Sequence, residues 1–226
     1  MDDVVPKLKN ILANTSLYKM LDAQQIARVA ADTNPMRMCP NMCVVNQGDP
    51  AEGAYWVVYG QVKVGVYSKQ GGEKTLAILG PGKCFGLGEM LLDQPHLAFV
   101  KTTADTLLLH TGRGTMLEVA QENFGFSREV MSCLGRQFYA LMRDIEAYSH
   151  SARQRLAGYL MRQAEGTGSQ DQIELVANKV LIASRLSLAP ETLSRLFREF
   201  AAEGLITVTG RRIRILDWGG LTALVK

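Results

Sequence analysis

The sequence predicts an α+β chain built from an N-terminal β-roll, a long helix and a C-terminal winged helix-turn-helix. Short alternating apolar runs punctuated by glycine between Met36 and Gly114 indicate the roll. Apolar residues at heptad spacing between 131 and 148 indicate the long helix. Two helical patterns followed by a hairpin pattern indicate the winged helix-turn-helix. We place the three parts at residues 1–125, with helices ahead of the roll, 126–149 and 150–226.

The β-rich part alternates short apolar runs with turn residues at regular intervals. The expected strands are Val44–Val45, Tyr55–Val58, Val62–Tyr67, Thr75–Leu79 and Leu107–His110. The expected turns are Gly48–Pro50, Gly60, Gly71–Gly72, Gly80–Gly82 and Gly86–Gly88. This spacing is typical of small barrels and sandwiches, and we expect a jelly-roll-like β-roll.

The most informative segment is the amphipathic helix expected from Pro190 to Phe200. Its apolar face is formed by Leu193, Leu196, Phe197 and Phe200. Pro190 suits the first turn of a helix, so Glu191, Ser194 and Arg195 lie near the N-terminal end. That end of a recognition helix meets base edges in the major groove. On this helix the expected DNA contacts are Glu191, Thr192, Ser194, Arg195 and Arg198.

The flanking segments complete a DNA-binding motif. A first helix ends near Leu186, and Ser187 to Ala189 form the short turn. Two alternating segments around Gly210 predict a β-hairpin wing over residues 206–216. Its basic residues, Arg211 and Arg212 with Arg214, are expected along phosphates. Without the turn and the hairpin, a solvated surface helix would explain the arginines equally well.

Charge and hydropathy narrow the function classes. Residues 150–226 hold 11 of the 25 Lys and Arg residues and 7 of the 22 Asp and Glu residues, a net charge of +4, whereas residues 1–149 have a net charge of −1. The longest apolar run, Ala54–Tyr59, is far too short to cross a bilayer. The polar start Met1-Asp2-Asp3 lacks a signal-peptide pattern, so we expect a cytoplasmic protein with no membrane partner.

The spacing Glu191-x-x-Ser194-Arg195 in this setting resembles the recognition helix of the Crp/Fnr transcription regulators. The resemblance implies that Arg195 donates to a guanine, Glu191 accepts from a cytosine amine and Ser194 contacts a thymine, as in TTGAT-like half-sites. The runs Asn46–Ala51 and Gly60–Val64 resemble the family's cyclic-nucleotide-binding roll. The chain departs from the family at Ser187, where many relatives carry glycine.

The ligand segment departs from the cyclic-AMP-binding members of the family. Those members follow a Gly-Glu-Leu turn with an Arg-Ser pair that holds the phosphate. Here the pair is replaced by His96-Leu97, so the sequence predicts no cyclic AMP response. We expect the effector pocket near Leu87, Glu89, Met90, His96 and Leu97.

The pattern from Phe85 through Met90 and Asp93 to Pro95 is similar to the Dnr and HcpR regulators of nitrogen-oxide metabolism. That resemblance implies an apolar sensor pocket linked to haem. The chemically possible axial ligands are His96, Met90, Cys84, Met36 and Met38. The alternative for His96 is an ordinary loop histidine beside a proline.

Four cysteines are present: Cys39, Cys43, Cys84 and Cys133. Residues 1–38 contain none, so we expect no Fnr-type iron–sulfur cluster. Cys39 and Cys43 lie across a predicted turn and form either a redox couple or, in a reducing cytosol, two small buried thiols.

The long helix carries a heptad seam formed by Met131, Leu134, Phe138, Leu141, Ile145 and Tyr148. The seam predicts a homodimer, which a symmetric DNA site requires. The alternative is a helix packed on its own roll. In the dimer, an effector between roll and helix would change how the two helices pack and thus the separation of the recognition helices.

We therefore expect a sequence-specific, dimeric transcription regulator whose partners are double-stranded DNA and RNA polymerase. We expect it to be controlled by haem with nitric oxide, by another non-nucleotide molecule or by a thiol redox switch at Cys39 and Cys43. A jelly-roll metal enzyme would need converging histidines, whereas the chain has only His96, His110 and His150 and no His-x-His pair. Gly-x-Ser-x-Gly and phosphate-binding loop motifs are also absent, so we expect no enzyme. A haem or redox carrier would leave the winged helix unexplained.

Overall fold

The computed structural model describes residues 4–67, 72–147, 149–167, 172–175 and 177–225. The chain divides into two compact units, residues 1–139 and 140–226. The boundary between these two units falls inside the long helix.

The helices are α1 Val4–Ala13, α2 Ala23–Ala31, α3 Leu87–Leu92, α4 Arg113–Glu122, α5 Phe124–Ala147, α6 Ala152–Thr167, α7 Lys179–Arg185, α8 Pro190–Ala202 and α9 Trp218–Val225, with a 3-10 helix at Ser16–Met20. The strands are β1 Thr33–Met38, β2 Cys43–Val45, β3 Gly53–Tyr59, β4 Val62–Tyr67, β5 Glu73–Leu79, β6 Cys84–Phe85, β7 Phe99–Thr102, β8 Thr106–Gly112, β9 Gln172–Glu174, β10 Ile206–Thr209 and β11 Arg212–Ile215. None of the helices in this described part of the chain is long and apolar enough to cross a membrane.

The first unit contains the expected β-roll, built from two four-stranded antiparallel sheets. Their strand orders are β1-β8-β3-β6 and β2-β7-β4-β5. All five strands expected from the sequence form, and β4 has the expected bounds. Strands β1, β6 and β7 carry no clear alternation in the sequence. They are ordered by partners far along the chain, as Thr33 to Met38 pair with residues 106 to 111 of β8.

A short helix interrupts the β-rich region. Helix α3 follows Gly86, whose φ is 79°, and ends at Asp93, whose φ is 55°. Gly86 is required here, because a Cβ at this position would lie 3.1 Å from the Gly53 carbonyl oxygen and 3.2 Å from Cε1 of His96.

Two apolar clusters hold the first unit together. One lies within the roll and consists of Val45, Val57, Val62, Phe85, Val100 and Leu108. The other lies among the N-terminal helices, α3 and α5, and includes Leu12, Tyr18, Trp56, Leu87, Met90 and Phe126. Helix α5 joins this second cluster through Phe126 and Val130, both buried.

The second unit places α7 and α8 beside a three-stranded sheet of order β10-β11-β9. The expected hairpin is present as β10 and β11, with Gly210 at a φ of 61° in the turn. Strand β9 was not expected, because its three residues have too short a pattern to stand out. It pairs with β11, and Ile173 opposite Ile213 is buried.

Candidate nucleic-acid interface and effector region

The helix-turn-helix is fixed by local hydrogen bonds. Asn178 caps α7, and its side-chain oxygen accepts from the Leu181 N–H at 2.9 Å. In the turn, Ser187 adopts a left-handed conformation with a φ of 53°, and the Leu188 N–H donates to the Ala183 carbonyl at 2.9 Å. Ser187 therefore adopts a backbone conformation that favours glycine.

Helix α8 has the two faces that its sequence predicts. The four apolar residues Leu193, Leu196, Phe197 and Phe200 are buried. On the other face Glu191, Arg195 and Arg198 are exposed, and Thr192 and Ser194 are half-buried. The Arg195 side chain is 66% exposed, and its Nε lies 3.6 Å from a carboxylate oxygen of Glu199. Such an exposed pair leaves the guanidinium available for a base edge.

An ion pair that the sequence analysis missed holds the C-terminal end of α8. Arg153 on α6 reaches both carboxylate oxygens of Glu203, at 2.9 and 2.6 Å. Its guanidinium also lies 5.1 Å from the centre of the Phe200 ring. These contacts raise the pKa of Arg153 and lower that of Glu203, mainly through their mutual hydrogen bonds. The charges are 50 residues apart in sequence, so no local pattern reveals them.

The wing presents its basic residues unequally. Arg212 and Arg214 are exposed on β11. Arg211 is exposed as well, but its guanidinium donates to the Leu175 carbonyl at 3.1 Å and so also holds the wing to the segment after β9. Of the three wing arginines, Arg211 is therefore the one that also has a structural hydrogen bond within the wing region.

The long helix has one face on the roll and another in solvent. Of the predicted seam residues, Met131, Phe138, Leu141 and Ile145 are exposed. Leu134 instead packs against the core of the first unit, on the same face as Phe126 and Val130. Tyr148 lies outside the described residues. The alternative for this helix, packing on its own roll, is therefore correct for one of its faces. The face that carries Met131, Phe138, Leu141 and Ile145 is exposed.

The five predicted effector-pocket residues do not gather around one space. Leu87 and Met90 are buried in the core. His96 is only 4% exposed and Leu97 is 74% exposed, so the two neighbours point to opposite environments. Nδ1 of His96 lies 4.0 Å from a carboxylate oxygen of Glu89, which is partly exposed.

His96 is fixed by its backbone as well as by burial. Its N–H donates to the Asp49 carbonyl at 2.9 Å, and its own carbonyl accepts from the Gly48 N–H at 2.8 Å. The imidazole also lies close to Gly86, since a Cβ at that position would be only 3.2 Å from Cε1 of His96. His96 is thus a loop histidine beside a proline, as the alternative interpretation expects, and its buried side chain contacts the neighbouring turn.

A pocket of about 490 Å³ lies beside this segment, but other residues form it. It is lined by Gly48, Pro50, Ala51, Glu52, Asp93, Gln94, Pro95 and Arg113. Arg113 and Asp93 form an ion pair at its edge. The lining thus combines four charged or polar side chains with glycine, proline and alanine, and it includes no residue of the predicted effector set.

Each candidate haem ligand is already in contact with other residues of the chain. Met90 is closed inside the core, Cys84 contacts another cysteine, and His96 faces Gly86 and Glu89. Met36 and Met38 are half-buried against the inner cluster of the roll. A haem needs an apolar slot beside its axial ligand, and none of these five candidate ligands lines the neighbouring pocket.

The cysteines are arranged differently from the expectation. Cys39 and Cys43 are both exposed, contrary to the interpretation that they are buried thiols. The Cys43 thiol lies 3.2 Å from the Val45 carbonyl and 3.2 Å from the side-chain oxygen of Asn46. No three His, Cys, Asp or Glu side chains of the described residues converge as a metal site.

A β-roll followed by a winged helix whose recognition face is exposed defines a two-part DNA-binding regulator. Comparison with family models agrees: residues 35–123 match the cyclic nucleotide-binding domain and residues 154–224 match the Crp-like helix-turn-helix domain. The chain belongs to the Crp/Fnr family of DNA-binding transcription regulators.

Similar proteins span most of the chain. The CRP-like cAMP-activated global transcriptional regulator of Mycobacterium tuberculosis is 22% identical over 93% of this chain and 96% of its own length. FixK2 from Bradyrhizobium japonicum is 20% identical, with a TM-score of 0.78 over 86% of this chain and 98% of that chain. DNR from Pseudomonas aeruginosa is 26% identical, with a TM-score of 0.51 over 96% of each chain. The FixK2 likeness shows the fold alone.

Proposed function

We propose that the protein binds TTGAT-like palindromic half-sites through Glu191, Ser194 and Arg195. The observation that carries this proposal is the first two turns of α8, where a guanidinium and a carboxylate are both exposed one helical turn apart. Arg donates two hydrogen bonds to guanine and Glu accepts from the cytosine amine, which is the chemistry that such a site needs. Thr192, Arg198 and the wing arginines Arg211 and Arg212 add phosphate contacts.

The protein acts on such sites as a homodimer formed by α5. Exposed Met131, Phe138, Leu141 and Ile145 recur at spacings of seven, three and four on one helix. Large apolar side chains at this spacing pack against a second copy of the same helix. A dimer is needed because a symmetric site presents its two half-sites about 34–36 Å apart, one turn of DNA, and each half-site takes one recognition helix. RNA polymerase is the further partner that we propose for the DNA-bound dimer.

Its effector is not a cyclic nucleotide. A buried phosphate diester needs a cation and a hydroxyl to replace its water, and the chain has His96 and Leu97 where the cyclic-AMP-binding members have Arg and Ser. Leu97 is exposed, and the arginine nearest the pocket, Arg113, already pairs with Asp93. The M. tuberculosis relative is named for activation by cAMP, and we propose that the present chain differs from it in this property.

The test compares Arg195→Ala with the wing variant Arg212→Ala on a TTGAT-N4-ATCAA duplex and a scrambled duplex. Loss of Arg195 is expected to cost roughly 1–3 kcal/mol per half-site, about 5- to 150-fold in affinity for each of the two half-sites, only on the matched duplex. Loss of Arg212 is expected to weaken both duplexes alike. If Arg195→Ala keeps the wild-type ratio between the duplexes, the reading role is wrong.

Haem is tested in the same samples by anaerobic titration read at the Soret band. We expect no stoichiometric uptake, because no predicted ligand lines an apolar slot. Stoichiometric uptake with DNA binding that responds to nitric oxide would instead support the Dnr-like alternative and overturn our expectation that haem does not bind.

A further inference from the structure

Two cysteines far apart in sequence meet between the roll and the long helix. Sγ of Cys84 on β6 lies 3.0 Å from Sγ of Cys133 on α5. Both residues belong to the first compact unit. A disulfide has a sulfur–sulfur length of about 2.05 Å, so the two atoms need to approach by only about 1 Å. The spacing-based pair Cys39/Cys43 is exposed and has no comparable contact among the described hydrogen bonds.

The surroundings distinguish the two thiols. Cys84 is buried, whereas Cys133 is partly exposed. Gln137, one helical turn after Cys133, places its amide nitrogen 3.3 Å from Sγ of Cys84 and 3.6 Å from Sγ of Cys133. Arg136 and Lys83 add positive charge near Cys133. The environment therefore favours a thiolate at the more accessible sulfur.

The hydrogen bond between the two thiols shifts their pKa values in opposite directions. Donation from the Cys84 thiol is the main cause that lowers the pKa of Cys133 to about 7, and the nearby cations contribute. The same hydrogen bond, together with burial, raises the pKa of Cys84. One sulfur is thus a nucleophile at neutral pH, and the other is a protonated thiol in contact with it.

We propose that Cys133 and Cys84 form a hydroperoxide-reactive dithiol that closes to an intramolecular disulfide. The Cys133 thiolate attacks one oxygen of the hydroperoxide, the O–O bond breaks, and the departing oxygen takes a proton to leave as an alcohol, or as water from hydrogen peroxide. Cys133 is then a sulfenic acid. The Cys84 sulfur attacks the Cys133 sulfur as its proton passes to the sulfenic oxygen, the S–O bond breaks and water leaves. The two thiols together lose two electrons, and the peroxide gains them.

The disulfide would join β6 of the roll covalently to the helix that carries the exposed dimer residues. Reduced and oxidised protein would then differ in how firmly that helix is held to the roll. This consequence for DNA binding rests on the proposed function, whereas the thiol chemistry does not.

The experiment treats reduced full-length protein with hydrogen peroxide and maps the products by mass spectrometry after blocking free thiols. Wild type and the matched control Cys39→Ser/Cys43→Ser are expected to lose two hydrogen atoms and to give one linked peptide pair containing Cys84 and Cys133. The Cys84→Ala variant is expected to accumulate a Cys133 sulfenic acid that dimedone traps. Because the wild-type mapping needs no substitution, the result does not depend on how the variants fold.

Two outcomes would overturn the proposal. One is peroxide-treated wild type with Cys84 and Cys133 still free. The other is oxidation confined to Cys39 and Cys43. DNA binding to the TTGAT duplex is measured on the same reduced and oxidised samples. Failure of the reduced protein to bind that duplex would overturn the half-site assignment while leaving the linked peptide as evidence for the dithiol.

Discussion

A chain of buried hydroxyl groups joins the N-terminal helices to the roll, and its hydrogen-bond direction can be tested. The Tyr18 hydroxyl lies 3.2 Å from that of Thr111, which lies 2.9 Å from that of Thr33. Thr33 donates to the Val29 carbonyl at 2.6 Å. Since that carbonyl can only accept, Thr111 donates to Thr33 and Tyr18 donates to Thr111. Burial raises the pKa of Tyr18, which keeps its proton in place.

This direction predicts unequal costs for two conservative substitutions. Thr111→Val leaves the buried Tyr18 hydroxyl without its oxygen acceptor, with only the Met116 sulfur at 3.7 Å remaining. An orphaned buried donor costs roughly 1–3 kcal/mol of unfolding free energy. Tyr18→Phe removes the donor and leaves Thr111 still bonded to Thr33, so its cost is about 0.5–1.5 kcal/mol. The double variant should cost less than the sum, because both partners are removed together.

The two tryptophans allow the units to be followed separately. Trp56 lies in the first unit and Trp218 in the second, so a Trp218→Phe background reports urea unfolding of the first unit through Trp56 fluorescence. Thr207→Val, at an exposed position of β10, is the control and should leave that transition unchanged. A Thr111→Val cost equal to or below that of Tyr18→Phe would refute the hydrogen-bond direction.

Three further predictions concern the dimer, the turn and the reactive thiol. Phe138→Glu should convert the dimer to monomer in sedimentation, whereas Tyr139→Glu should not, because the two side chains are 65% and 67% exposed but only Phe138 lies in the heptad seam. Ser187→Gly should raise the unfolding free energy of the second unit by about 0.5–1 kcal/mol, measured by Trp218 fluorescence, because a left-handed conformation is strained for serine. Alkylation of Cys133 should reach half its maximal rate near pH 7 and fall at lower pH, because only the thiolate reacts.

Each of these has a clear contrary result. Equal dissociation by both helix variants would mean that the seam does not select the dimer face. A destabilised Ser187→Gly protein would mean that the serine side chain contributes more than its backbone strain costs. An alkylation midpoint unchanged by Cys84→Ala would mean that the Cys84 hydrogen bond does not stabilise the Cys133 thiolate.

The sequence predicts well those features whose cause is local. The buried face of α8 follows from apolar residues at helical spacing, and β4 follows from alternation between two glycine-marked turns. Strand β1 does not, because its polar residues and Pro35 become a strand only by pairing with β8 more than 60 residues later. The contact of Arg153 with Glu203 at the end of α8 cannot be predicted from the sequence either, because the two residues are 50 positions apart.

The effector region shows the limits of reading a motif without its neighbours. The replacement of Arg-Ser by His96-Leu97 is visible in the sequence, but the direction of each side chain depends on Gly86 and on two backbone hydrogen bonds to residues 48 and 49. Likewise, the sequence draws attention to Cys39 and Cys43 because they are close in number. The pair in contact, Cys84 and Cys133, is separated by 49 residues.

The ion pair between Arg185 and Asp144 has a consequence for how half-site spacing is set. It fastens the last turns of α5 to α7 within the second unit, and neither side chain is fully exposed. Leu141 and Ile145, which flank Asp144, therefore belong to the same compact unit as the helix-turn-helix. Contacts between two copies at these positions would set the distance between the two helix-turn-helix units directly. The part of α5 in the first unit would then control whether those contacts form.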